Sequence, residues 1–178
     1  MAIALGLVLG TVPVLYRFIN PLVEFVRPVP TPAVVPPLIL LLGVGDAMKI
    51  CIVALSTFFP VFVNTVNGVR STGDVLLQTA ATFRTGAVAT VLKVVLPASW
   101  PAIVAGLRTS MALALIVTVI AEMIAGSSGI GFYLIESQFA LKPDAMYAGV
   151  LALMLLGYGL NRTILLAEAF LLRNRRAQ

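Results

Sequence analysis

Few residues in this 178-residue chain are able to do chemistry. It contains no histidine and one cysteine, Cys51, so it cannot assemble a histidine-dependent catalytic triad or a Cys/His metal site. No G-x4-G-K-[ST] phosphate loop occurs, and the stretch GSSGIG at 126–131 lacks the spacing of a dinucleotide-binding turn. We therefore expect no catalytic residue, no metal, no cofactor and no enzymatic activity on this chain.

The polar residues inside apolar stretches are the other candidates. Glu122 ends a long uncharged run, where an ionisable group is expensive, so either a gating or helix-pairing role or solvation by lipid headgroups would explain it. Arg108 could attract an anion, or extend its side chain to the membrane surface. Asn64 and Asn67 lie one turn apart, and their amides could line a pore or bond a neighbouring helix.

Closely spaced prolines form another unusual feature, at positions 28, 30, 32, 36 and 37. Broken helices at membrane depth are tolerated where they are buried in protein or face water. The 28–37 stretch is therefore predicted to lie beside a translocation path, with Pro32 and Pro36 as path residues. The alternative is an interfacial loop before a shorter helix.

The composition of the chain indicates the kind of secondary structure and the class of protein that hold these residues. The chain is 60% hydrophobic and 11% charged, with a mean hydropathy of +1.06, whereas soluble domains are about 45–50% apolar and about 25% charged. We predict an all-α, polytopic membrane protein and a single transmembrane domain over 1–178. The net charge of +5 is attributed to loops that stay in the cytoplasm, not to nucleic-acid binding.

Uncharged runs predict about five membrane segments. A full crossing needs about 20 apolar residues, which predicts spans at 20–44, 46–68, 99–125 and 145–170, and a partial first segment at 1–16. Basic residues cluster around one loop and again at the C-terminus, and both groups are predicted to be cytoplasmic, with the loop 126–144 outside. These basic residues are Arg70, Arg84, Lys93, Arg108, Arg173, Arg175 and Arg176.

The cytoplasmic loop, within residues 71–101, carries a helical pattern. Apolar residues recur at helical spacing from Leu76 to Val91, and Gly86 interrupts the pattern. This predicts two short helices with an elbow, closed by Pro97, where a proline ends one helix or starts the next. Such an amphipathic stripe fits either the membrane surface or a groove on another protein.

The same loop resembles a known family. Permease subunits of binding-protein-dependent ABC importers carry the signature E-A-A-x3-G-x9-I-x-L-P. When it is aligned on Leu96 and Pro97, Gln78 stands at the Glu position, Thr79 at the first Ala and Arg84 at the Gly. Two longer stretches, at 27–70 and 96–138, are similar to the nitrate, sulfonate, taurine and bicarbonate branch. Chains of that family usually begin earlier, so this chain resembles one that is truncated at its N-terminus or begun at an internal Met.

The resemblance implies a transport function. The 71–98 loop would be a coupling loop that docks on a separate ATPase through Gln78, Thr79, Ala80, Ala81, Phe83, Arg84, Gly86, Leu96 and Pro97. It also implies two ATPase copies, a periplasmic or lipid-anchored solute-binding protein, a second permease copy, and a bacterial inner-membrane location with the C-terminus inside. The solute would be a small anion. A self-contained secondary carrier or channel is the alternative, but the sequence lacks the internal repeat and paired intramembrane charges of such carriers.

Overall fold

The computed structural model describes the backbone of residues 1–173 and the side chains as far as Leu166. All of the regular secondary structure in this part of the chain is helical, and a π-helical turn, Val91–Val95, joins α6 to α7. Arg175 and Arg176, which support the predicted cytoplasmic C-terminus, lie outside the described residues. The helices are α1 Ala2–Thr11, α2 Pro13–Val26, α3 Thr31–Leu42, α4 Asp46–Arg70, α5 Asp74–Thr82, α6 Ala87–Thr90, α7 Leu96–Ala125, α8 Ile130–Phe139 and α9 Pro143–Arg173.

Three described segments are long and apolar enough to cross a membrane. They are Asp46–Arg70, Pro143–Leu166 and Ala87–Ala125, which runs through α6, the π-helical turn and α7. Helices at the predicted spans 46–68, 99–125 and 145–170 are confirmed, but the middle segment begins earlier than predicted, at Ala87. The total rises to four if α2 and α3 together form one bent span, so the expected count of about five is not confirmed.

The predicted span 20–44 is not one continuous helix. Helix α2 ends at Val26 and α3 begins at Thr31. Pro28 and Pro30 lie in the gap, where each lacks a backbone N–H and disfavours helical backbone in the residue before it. The helix then continues through Pro36, so the expected broken stretch is limited to residues 27–30.

The chain divides into two compact units, and the first comprises Met1–Val29 and Phe58–Ser110. Here α1 packs on α4 through glycine. A Cβ added to Gly6 would fall 2.7 Å from the Thr65 Cβ, and one added to Gly10 would fall 2.6 Å from the Val69 Cβ. The G-x-x-x-G spacing of Gly6 and Gly10 therefore marks a close helix contact within the chain.

Helix α7 approaches α4 in the same unit by the same means. A Cβ on Gly68 would lie 2.7 Å from the Ala102 Cβ, and one on Gly106 would lie 2.8 Å from the Asn64 Cβ. Small residues allow the two backbones to come close, which increases van der Waals contact where lipid supplies little hydrophobic driving force.

The second unit comprises Pro30–Thr57 and the chain from Met111 onward. Its core contains the buried residues Val35, Met48, Ile52, Val117 and Ala121, contributed by α3, α4 and α7. This apolar cluster fixes the half of α7 that carries Glu122.

Candidate coupling site and translocation residues

The predicted coupling loop begins where α4 ends. Gly73 is the N-terminal capping residue of α5, and Asp74 occupies the first turn, where a carboxylate interacts favourably with the positive end of the helix dipole. Three residues separate α5 from the span that ends at Arg70. The first short helix of the predicted pair is confirmed.

The exit from α5 is a Schellman turn, a hydrogen-bonded C-terminal cap. The Arg84 N–H donates to the Ala81 carbonyl at 2.9 Å, and the Thr85 N–H donates to the Ala80 carbonyl at 3.1 Å. Arg84 has φ = +50°, a left-handed conformation that glycine adopts without steric cost. Glycine, which the resembled signature has at this position, would adopt this conformation without steric cost.

Gly86 has a different role from the one its sequence position indicated. Its φ is −62°, an ordinary value, and it is the N-terminal capping residue of α6. The first short helix and the elbow are confirmed, but the second helix runs on into the membrane segment Ala87–Ala125. The left-handed residue of the elbow is Arg84 and not Gly86. The Thr85 and Thr90 hydroxyls lie 2.9 Å apart and join the elbow to α6.

The predicted docking residues on α5 do not all face outward. Gln78, Thr79 and Ala81 are exposed, but Ala80 is 5% exposed. Phe83 follows the last residue of α5 and is 77% exposed. The predicted apolar stripe is therefore not one continuous face: its middle is buried in the first unit, and its aromatic residue projects outward.

The joint at Leu96 and Pro97 does not break the helix. The Leu96 N–H donates to the Val91 carbonyl, so a wider π-helical turn stands directly before the proline. In a regular α-helix the Pro97 ring would clash with the carbonyl four residues earlier, and π turns are recurrent local adjustments within helices. Pro97 lies in the first turn of α7, as expected for a proline that starts a helix. However, α6, the π-helical turn and α7 run on as one helical segment.

The two asparagines occupy different environments. The Asn64 amide donates to the Pro60 carbonyl in its own helix at 2.8 Å, and its Cβ fills the space beside Gly106. Asn67 is exposed. Of the two residues, Asn67 is therefore the one available to line a path.

Arg108, Pro32 and Pro36 are also exposed. Arg108 lies in the first unit with both asparagines, whereas the two prolines lie in the second unit with Glu122. Exposure is compatible with a path, a partner surface or lipid, so the path assignment of these residues stays a prediction.

Glu122 has a defined partner. Its Oε2 accepts a hydrogen bond from the Gly131 N–H at 2.9 Å, and Gly131 lies in the first turn of α8. The carboxylate thus satisfies one of the N–H groups that a helix start leaves without an intrahelical partner, and its charge suits the dipole there. This geometry matches helix pairing, one of the roles considered for Glu122.

The glycine-rich turn is shaped around this carboxylate. A Cβ on Gly129 would collide with the Glu122 carboxyl group, and Gly129 has φ = +106°. A Cβ on Gly131 would lie 2.8 Å from the Glu122 Cβ. A contact between these glycines and Glu122 was not predicted, although a lone carboxylate followed by several glycines is a sequence signal for it.

The described residues contain no group of three or more His, Cys, Asp or Glu side chains arranged to hold a metal ion. The main polar features of the described residues are the predicted coupling loop in the first unit and a carboxylate-capped turn in the second.

Comparison with known proteins identifies the family of this chain. The family model described as "Binding-protein-dependent transport system inner membrane component" matches residues 2–170. The chain belongs to this family. The predicted resemblance is confirmed, and with the membrane-spanning helices it makes the chain a multi-pass inner-membrane transport component.

Individual relatives indicate which branch of the family the chain resembles. The chain is 32% identical over 89% of its length to SsuC of Bacillus subtilis, named for aliphatic sulfonates transport, and 30% identical over 79% to SsuC of Escherichia coli. It is 29% identical over 88% of its length to the taurine transport system permease protein TauC of Escherichia coli. The matches cover 57%, 54% and 57% of those relatives, so the chain spans about half of their length.

Proposed function

We propose that the chain is the permease subunit of an ABC importer and moves a small anionic solute of the sulfonate, taurine, nitrate or bicarbonate type. ATP hydrolysis takes place on a separate subunit. The observation that carries this proposal is α5, a short helix between two membrane spans that presents an exposed aromatic residue, Phe83, at its end. Permeases named for sulfonates and taurine support the solute class.

The contacts of α5 suit it to transmit force. A docked ATPase would push on Phe83 and the exposed residues Gln78, Thr79 and Ala81. The Schellman turn and the Thr85–Thr90 hydroxyl contact connect α5 to α6. Since α6 continues into α7 through Leu96 and Pro97 without a break, movement of the loop reaches the membrane with little compliance.

The complex would contain two permease copies, two ATPase subunits and an outer solute-binding protein. Polar residues such as Asn67 and Arg108 are exposed on membrane helices, and polar groups at that depth need a surface other than lipid. A second copy related by a two-fold axis supplies such a surface. The solute-binding protein would do most of the selection among anions.

The coupling role is tested with Phe83→Asp in the full complex. A buried aspartate at the interface is costly, so the ATPase should no longer co-purify and ATP-driven uptake of labelled taurine or an alkanesulfonate should stop. Phe139→Asp is the matched control, because Phe139 is 82% exposed at the end of another short helix, α8. It should leave ATPase co-purification unchanged. Retention of the ATPase by Phe83→Asp would contradict the proposal.

The two-fold pairing is tested by cross-linking. In a Cys51→Ser background, single cysteines at Asn67 and Arg108 should give same-site dimers when the ATPase is present. Gly106 is unsuitable, because a side chain there would collide with Asn64. No dimer at either exposed site would contradict the homodimer.

A further inference from the structure

An open cavity of about 420 Å³ lies in the first unit at the foot of the coupling loop. The ends of α1 and α4, the start of α5, and α6 with its π-helical turn all contribute to its wall. Its volume falls within the range of roughly 300–1,000 Å³ that is typical of small-molecule sites. The cavity therefore has the size to hold a ligand where these elements meet.

Two opposite charges line this cavity, Arg70 and Asp74. The Arg70 guanidinium lies 3.9 Å from the centroid of the Tyr16 ring, a cation–π contact that orients it. Asp74 is held in the first turn of α5. Within the part of the chain that the structure describes, Arg70 and Asp74 form no salt bridge with each other, so each can face a separate pole of one ligand.

The position of the cavity limits the chemistry of that ligand. Arg70 is the last residue of the membrane span Asp46–Arg70, so the cavity opens at a membrane boundary. The rest of its wall is partly hydroxylic, with Thr72 and Thr90, and largely apolar, with residues such as Val91. Asp74 disfavours a simple anion and Arg70 disfavours a simple cation. A zwitterionic headgroup attached to an apolar tail would complement both charges and the apolar part of the wall.

We propose that this cavity binds the headgroup of an aminophospholipid. The lipid phosphate accepts hydrogen bonds from the Arg70 guanidinium, and the primary ammonium donates to the Asp74 carboxylate. A trimethylammonium headgroup carries the same charge but has no N–H to donate, so the site discriminates against choline lipids. A glycerol headgroup offers no positive charge to Asp74 and is also disfavoured. The bound lipid would brace the root of α5 against the end of α4.

The experiment uses the full chain purified in detergent, with lipid binding measured by native mass spectrometry. Phosphatidylethanolamine should bind at least tenfold more tightly than phosphatidylcholine or phosphatidylglycerol of the same chain length. Asp74→Asn should abolish this preference. Asp144→Asn, which also removes an acidic residue from the first turn of a helix, should leave the preference intact.

A second variant tests whether lipid binding needs the open volume of the cavity, and it leaves the charges of Arg70 and Asp74 in place. Leu77 lines the cavity, so Leu77→Trp should fill it and reduce ethanolamine-lipid binding while both charges remain. Equal binding of the three lipids, or a preference that survives in Asp74→Asn, would overturn the proposal. The last experiment measures the binding of two water-soluble compounds, phosphoethanolamine and taurine. If either bound as tightly as the lipid, and if this binding depended on Asp74, the cavity would be a solute site and the lipid assignment would be overturned. The expected result is at least tenfold weaker binding of both.

Discussion

Replacing Arg84 by glycine should stabilise the end of α5, although it removes a side chain. Arg84 is held at φ = +50° in a Schellman turn, and a left-handed conformation costs an L-residue about 1–2 kcal/mol. Glycine avoids this cost, but it is more flexible when the turn opens, which offsets about 0.4–1 kcal/mol. We therefore expect Arg84→Gly to raise the free energy of local opening by roughly 0.5–1 kcal/mol.

Hydrogen–deuterium exchange measures this opening directly. The amides of Arg84 and Thr85 donate the two bonds of the turn, so peptides that cover residues 79–86 report it. Since about 1.4 kcal/mol corresponds to a tenfold change in an equilibrium constant, exchange in Arg84→Gly should slow about two- to fivefold. The rates are divided by those of matching unstructured peptides, which removes the intrinsic effect of glycine.

Arg84→Ala is the control for charge. Alanine keeps the Cβ that makes the left-handed conformation costly, so it should show no comparable slowing. If Arg84→Ala and Arg84→Gly slowed exchange equally, the charge of Arg84 and not its backbone conformation would be responsible. Faster exchange in Arg84→Gly would refute the strain argument altogether.

Three further predictions concern helix packing. Glu122→Ala leaves the Gly131 N–H without its charged acceptor and should lower the free energy of unfolding by about 1.5–3 kcal/mol. The loss should be seen as a lower melting temperature in detergent and as faster hydrogen exchange at the start of α8. Glu122→Gln should lose less stability, and equal losses in the two variants would contradict the charge argument. Gly129→Ala should be at least as damaging as Glu122→Ala by the same assays, because its Cβ collides with the carboxyl group, and a near-native melting temperature would count against the capped turn. Gly10→Val should lower the melting temperature, since its Cβ would lie 2.6 Å from the Val69 Cβ; an unchanged value would mean that α1 does not pack on α4.

The membrane spans were predictable because their signals are local. Apolar length alone placed 46–68, 99–125 and 145–170, since a hydrocarbon core of about 30 Å requires about 20 such residues. The break at 27–30 was misjudged, because prolines show that a helix is disturbed but not which of several prolines ends it. Pro36 lies within a helix, whereas Pro28 lies in the gap.

The sites were harder to predict because they depend on backbone angles and distant partners. The helical pattern is interrupted at Gly86, yet the left-handed conformation of the elbow belongs to Arg84. The partner of Glu122 is a backbone N–H nine residues away, presented by the fold of the turn and not by any side chain. A pattern of residue types does not encode such a contact.

Under the proposed coupling role, the helix Ala87–Ala125 would act as a lever. Its 39 residues at about 1.5 Å each give a rod about 58 Å long, although about 20 residues are enough to cross the bilayer core. Roughly half of the rod therefore stands clear of the hydrocarbon core. A rigid tilt of about 5° about one end would move the other by about 5 Å, close to one helical turn. A small rotation imposed on the coupling loop would thus become a displacement as large as the width of a small solute, without any hinge inside the membrane.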